Sequence, residues 1–211
     1  MADLVKVLES YRGKDRTIRL FTYVFMYLGG RGNTPLQAKF RKLVSELGGC
    51  RVVLRLFDDF SMLMLNLSTG FGLKQPNPWL RPLEVLSGLL NQLYYPVEHI
   101  AWLRDKEILP GNSGLLWLLG LCIWACSLFT EIIKEIDSQQ NQQIDEKMTK
   151  LALERRDLIL LIIQSAADLT NAISWLPKGF LWSQKLHPSA NGICGLVSTL
   201  VMLYRNWPSS K

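Results

Sequence analysis

The chain has 211 residues, 48% of them hydrophobic and 20% charged, and a formal net charge of +6. The positive excess lies in residues 1–110, which hold 15 Lys/Arg against 10 Asp/Glu, whereas residues 131–186 hold 7 against 8. Four cysteines without a Cys-x-x-Cys pair exclude a disulfide framework or zinc site as the organising feature, and no finger or ribonucleoprotein signature assigns the basic half to nucleic acid.

Apolar residues recur at helical spacing over residues 4–11, 18–28, 36–65 and 83–103, and no stretch alternates as a half-buried strand does. Punctuation rich in Gly, Pro and Asn at 29–35, 70–78 and 110–114 separates these helices. Arg12, Lys14, Arg16 and Arg19 form an early basic cluster in which Asp15 is spaced to pair with Arg19 at i, i+4. The opening residues lack the charged region, apolar core and cleavage site of a secretory signal, so insertion is expected to be directed from within the chain.

Residues 36–65 are amphipathic. Phe40, Leu43, Leu47, Cys50, Leu54 and Phe57 follow three-and-four spacing along one stripe, flanked by Lys39, Arg41, Lys42, Arg51 and Arg55. The pattern fits a helix lying in the headgroup layer, with the stripe inserted and the cations on anionic lipid, and it equally fits a stripe packed on neighbouring helices. Gly48-Gly49 weakens the segment as a single helix.

Residues 108–130 carry no charged side chain over 23 positions. At about 1.5 Å per residue that length crosses a hydrocarbon layer of about 30 Å, so 111–130 reads as a membrane crossing. A second crossing is expected at 189–204, with Pro188 opening the helix and Ser189, Gly192, Gly195 and Ser198 forming a strip of small residues for helix packing. Between them, 158–176 is apolar but holds Asp168. A carboxylate in mid-membrane costs about 2.5–3.5 kcal/mol on insertion scales unless it is paired or faces a bundle interior. That segment is expected to lie along or partly within the membrane, with full crossing as the alternative. The result is an all-α integral membrane protein, with amphipathic helices in 1–110 and a membrane-embedded region in 111–211.

Five motifs occur in order: Tyr11-Arg-Gly-Lys-Asp-Arg-Thr-Ile-Arg19, Cys50-Arg-Val-Val-Leu-Arg-Leu-Phe-Asp-Asp59, Gln92-Leu-Tyr-Tyr-Pro-Val-Glu-His-Ile-Ala-Trp-Leu103, Ala167-Asp-Leu-Thr-Asn-Ala172 with Trp175-Leu-Pro-Lys-Gly179, and Gly192-Ile-Cys-Gly-Leu-Val-Ser198. Together they resemble the peroxin-eleven family of peroxisomal membrane proteins, most closely its gamma type. The resemblance implies a multi-pass peroxisomal membrane protein with both termini in the cytosol, which elongates and helps divide peroxisomes. It also implies self-association or association with family members, and cooperation with a tail-anchored fission adaptor and a dynamin-like GTPase. On this chain it makes residues 36–65 the remodelling segment, with Lys39, Arg41, Lys42, Arg51 and Arg55 as lipid contacts. The neighbouring Asp58 and Asp59 depart from a purely cationic surface.

Two other functions remain open on the sequence. One is a metabolite pore, for which Gln164, Asp168 and Asn171 supply polar lining; the other is an adaptor that recruits fission factors. Catalysis has no support: His99 and His187 have no nucleophile at a recognised spacing, and no catalytic, cofactor-binding or metal-ligating set is expected. Lys and Arg near the membrane ends do not decide orientation.

Overall fold

The computed structural model describes residues 2–142 and 148–207, all helix or loop. The helices are α1 (Ala2–Glu9), α2 (Tyr11–Gly30), α3 (Pro35–Leu54), α4 (Asp58–Thr69), α5 (Leu80–Asp105), α6 (Gly114–Gln142), α7 (Met148–Trp175) and α8 (Pro188–Arg205). Local chemistry sets several of their ends. Ser10 Oγ accepts the Gly13 N–H at 3.0 Å to cap α2, and Asn112 Oδ1 accepts the Gly114 N–H at 2.7 Å where α6 begins. Gly70, at φ 64, closes α4 in the left-handed conformation that glycine takes without a Cβ penalty.

The amphipathic stretch 36–65 is not one helix. It divides at a 3-10 turn, Arg55–Phe57, and not at Gly48-Gly49, which lie inside an unbroken α3. The tighter turn advances about 120° per residue against about 100° in an α-helix, so the stripe drawn from Phe40 to Phe57 does not continue in phase into α4.

The chain forms two compact units, Met1–Arg51 with Lys147–Lys211, and Val52–Glu146. In the first, α8 runs antiparallel to α2: Ser189 bonds the Tyr27 carbonyl, Gly192 meets Tyr27, Gly195 meets Tyr23 and Ser198 bonds Arg19. A Cβ on Gly192 would stand 2.6 Å from the Tyr27 backbone nitrogen, and one on Gly195 would enter the Tyr23 ring, so both positions need glycine for this approach. In the second unit α5 and α6 are antiparallel, with Glu84 paired to Lys134, Val97 beside Gly120, and Asp105 accepting from Trp117. There α4 packs on α5 through Asn66, whose Nδ2 reaches the Gly88 carbonyl and Gln92 Oε1.

Burial is inverted relative to a water-soluble fold. Among the described residues six apolar side chains are buried against sixteen polar or charged ones, while Leu115, Leu119, Phe129, Ile159, Ile163 and Leu200 are exposed. A soluble core buries Ile, Val, Leu and Phe; a protein surrounded by lipid has no such need and holds its helices by packing and polar contacts.

Among the described residues two helices are long and apolar enough to cross a membrane, at Gly114–Ile136 and Arg155–Trp175, and only 22% and 28% of their apolar stretches is buried. The first contains most of the crossing expected at 111–130. The second supports, by length and composition, the crossing alternative for 158–176. α8, expected to cross at 189–204, is not among them, and the residues it buries include polar Asn191, Ser198 and Thr199. It packs antiparallel beside α7 and α2.

Candidate membrane-interaction sites

The interior of the first unit is organised by an ion pair. Arg19 Nη2 lies 2.5 Å from Asp168 Oδ1 and 3.0 Å from Ser198 Oγ, joining α2, α7 and α8, with Arg19 8% and Asp168 3% exposed. Tyr23 receives the guanidinium over its ring at 5.5 Å. The mid-segment carboxylate thus has the partner that membrane burial demands. Arg19 is not part of an exposed cluster, and Asp15 does not pair with it; Asp15 instead accepts two bonds from Arg51, at 2.8 and 3.4 Å. Arg12 and Arg16 remain near the surface, where burial and the Arg12 charge hold Arg16 below the ordinary arginine range. Asn171, completely buried, Gln164 and Asp168 belong to the unit's interior polar set.

The five cations expected on lipid have different settings. Lys39 and Lys42 are exposed on α3. Arg41 donates through Nη1 to the Gly29 and Gly32 carbonyls at 2.8 and 3.0 Å. Arg51 is bound to Asp15, while Arg55, in the second unit, donates to Glu98 at 2.6 Å and stacks over Tyr94. Arg55 is held by the buried Glu98 and Arg51 by the half-buried Asp15, so both guanidinium groups tie parts of the chain together. The stripe is similarly divided: Phe40 stacks on Phe25 at 5.6 Å, Leu47 and Leu54 are half-buried, Leu43 is 41% exposed and Phe57 is 83% exposed.

The large outward apolar face lies further along the chain. Phe57, Phe60, Met64 and Leu67 are 83, 67, 47 and 55% exposed, at successive steps of three, four and three, and therefore line one side of α4 and its entry turn. The opposite side carries Asp59, paired at 2.7 Å with His99 Nδ1 on α5, and the buried Asn66. Sequence spacing could have found this face once the break at residue 55 was known.

The junction of α1 and α2 meets the end of α8. Lys6, Ser10 and Arg16 line a cavity of about 200 Å³ together with Leu203, Asn206 and Trp207, so the start of α2 and the end of α8 are neighbours. His187 caps α8 by accepting the Ser189 N–H, a structural role, and no group of three or more His, Cys, Asp or Glu side chains suited to a metal occurs among the described residues.

The lipid-facing apolar exterior, the polar interior and the two long apolar helices define a helical membrane protein. The sequence matches Peroxisomal biogenesis factor 11 (PEX11) over residues 1–207, and the chain belongs to that family. It is 30% identical over 225 residues to Peroxisomal membrane protein 11C of Homo sapiens, covering 97% of this chain and 93% of the relative. To Peroxisomal membrane protein 11C of Mus musculus it is 32% identical over 218 residues, covering 94% and 90%. No solved structure matches the chain significantly.

Proposed function

We propose that this chain is a peroxisomal membrane protein that elongates its organelle and promotes its proliferation and division by remodelling the bilayer, without catalytic turnover. Family membership over nearly the whole length carries the reading. The outward face of α4 supplies a physical means: aromatic and aliphatic side chains seated shallowly in one leaflet expand it relative to the other and favour curvature. Exposed Lys39 and Lys42 add attraction to anionic headgroups, at about 1 kcal/mol per cation near such a surface. The adjacency of the α2 start and α8 end supports both termini on one side of the membrane, the cytosolic side in this reading. There they are available to a tail-anchored fission adaptor and a dynamin-like GTPase, and to further copies of this chain or of family members.

Raised expression of the tagged protein should lengthen or multiply peroxisomes, and in intact organelles tags at both ends should be open to added protease. Unchanged organelle shape contradicts remodelling; protection of one tag alone contradicts the shared side. A pore reading draws on the buried polar set around Asp168, but Arg19 occupies that carboxylate. Conductance in a planar bilayer that disappears with Asp168→Asn would favour the pore.

A further inference from the structure

A cavity of about 370 Å³ lies in the first unit at the end away from both termini, where α2 ends, α3 and α8 begin and α7 finishes. Its walls include Met26, Val44, Trp175 and Leu186, with Arg41 and Asn191 supplying polar groups. This volume and this mixture, mostly apolar with few polar atoms, belong to small-molecule sites. Asn191 is 6% exposed, and its Oδ1 is buried without a hydrogen-bond partner. Two backbone carbonyls hold the Arg41 guanidinium in place, and exposed Lys39 and Lys42 lie on the same turns of α3, so this end of the unit favours negative charge. Trp175 closes the apolar window of α7, the level at which tryptophan meets lipid headgroups.

We propose that this cavity takes the glycerol-phosphate end of one anionic phospholipid. The start of one acyl chain lies among Met26, Val44, Trp175 and Leu186, and the phosphate lies at Arg41. The site requires embedding in a membrane but not the remodelling activity, so each can fail without the other.

The full-length protein in phosphatidylcholine nanodiscs containing phosphatidylinositol with a photoactivatable acyl chain provides the test. Adducts should concentrate at Val44 and Leu186. Unlabelled phosphatidylinositol should suppress them several-fold, whereas added phosphatidylcholine or soluble glycerophosphoinositol should not. Val44→Trp, which fills the cavity, should remove the adduct at Leu186, and Leu186→Trp should remove the one at Val44, with helicity by circular dichroism unchanged in at least one of them. Arg41→Leu should keep the adducts but lose the preference for anionic phosphatidylinositol over phosphatidylcholine. Labelling spread evenly over the exposed sides of α6 and α7, or insensitive to the filling variant that stays helical, overturns the proposal. Competition by glycerophosphoinositol overturns the lipid as occupant in favour of a soluble phosphate.

Discussion

The two units use charge in the same way, and the second adds an apolar face of a different kind. In the first, Arg19–Asp168 and Arg51–Asp15 tie helices together, and glycines at 192 and 195 bring α8 against α2. In the second, Arg55–Glu98 and Asp59–His99 tie α4 and its entry turn to α5, yet the far side of α4 turns Phe57 and Phe60 outward. Internal pairing of charge frees the apolar residues for lipid. Each unit has one long helix suited to crossing, α7 in the first and α6 in the second, and the second adds a short helix, α4, whose outward apolar face suits a leaflet.

The sharpest way to break this comparison is to unpair the first unit. Asp168→Leu leaves Arg19 buried without its carboxylate and should cost about 3–5 kcal/mol, seen as a lower unfolding midpoint in detergent. The double variant Arg19→Leu, Asp168→Leu should recover most of that loss; if it is as unstable as the single variant, the penalty does not come from an unpaired charge. Next in size is Gly195→Leu, which drives a side chain into Tyr23 and should cost about 1–3 kcal/mol on the same assay. Asn66→Leu in the second unit removes bonds to Gly88 and Gln92 and should cost about 1 kcal/mol, measured as loss of amide-exchange protection in α4. Gly49→Ala should have the opposite sign, a gain of about 0.5–1 kcal/mol, because nothing lies within 4 Å of the new methyl group in an intact helix. Asp3→Asn, at an exposed Lys6 pair 3.9 Å long, should change stability by less than about 0.5 kcal/mol.

Much of this architecture was legible because it follows local rules. The charge-free run became α6, Pro188 opened α8, and the spacing of Gly192 and Gly195 pointed to a close helix approach. Asp168 announced that it needed a partner, since lipid burial makes an unpaired carboxylate expensive. That the partner is Arg19, 149 positions away, was not legible, because ion pairing between helices depends on tertiary packing and leaves no periodic trace. The same limit made Arg51 and Arg55 look like a cationic row when each serves a different carboxylate. The stripe from Phe40 to Phe57 follows a constant helical period through residues 55–57, which a sequence pattern alone does not interrupt. The 3-10 turn there resets the phase and moves the exposed face to α4.

The central claim is that the outward face of α4 bends the membrane. Its most direct test is peroxisome length in cells at raised expression of Phe57→Asp, Phe60→Asp, Met64→Asp in one chain, beside the unaltered protein. The substitutions lie outside both long apolar helices and leave Asp59–His99 and Asn66 in place. The variant should therefore reach peroxisomes and resist alkaline extraction, while peroxisomes keep their ordinary length. Elongation equal to that produced by the unaltered protein would contradict the account and assign remodelling to the long helices or to recruited partners.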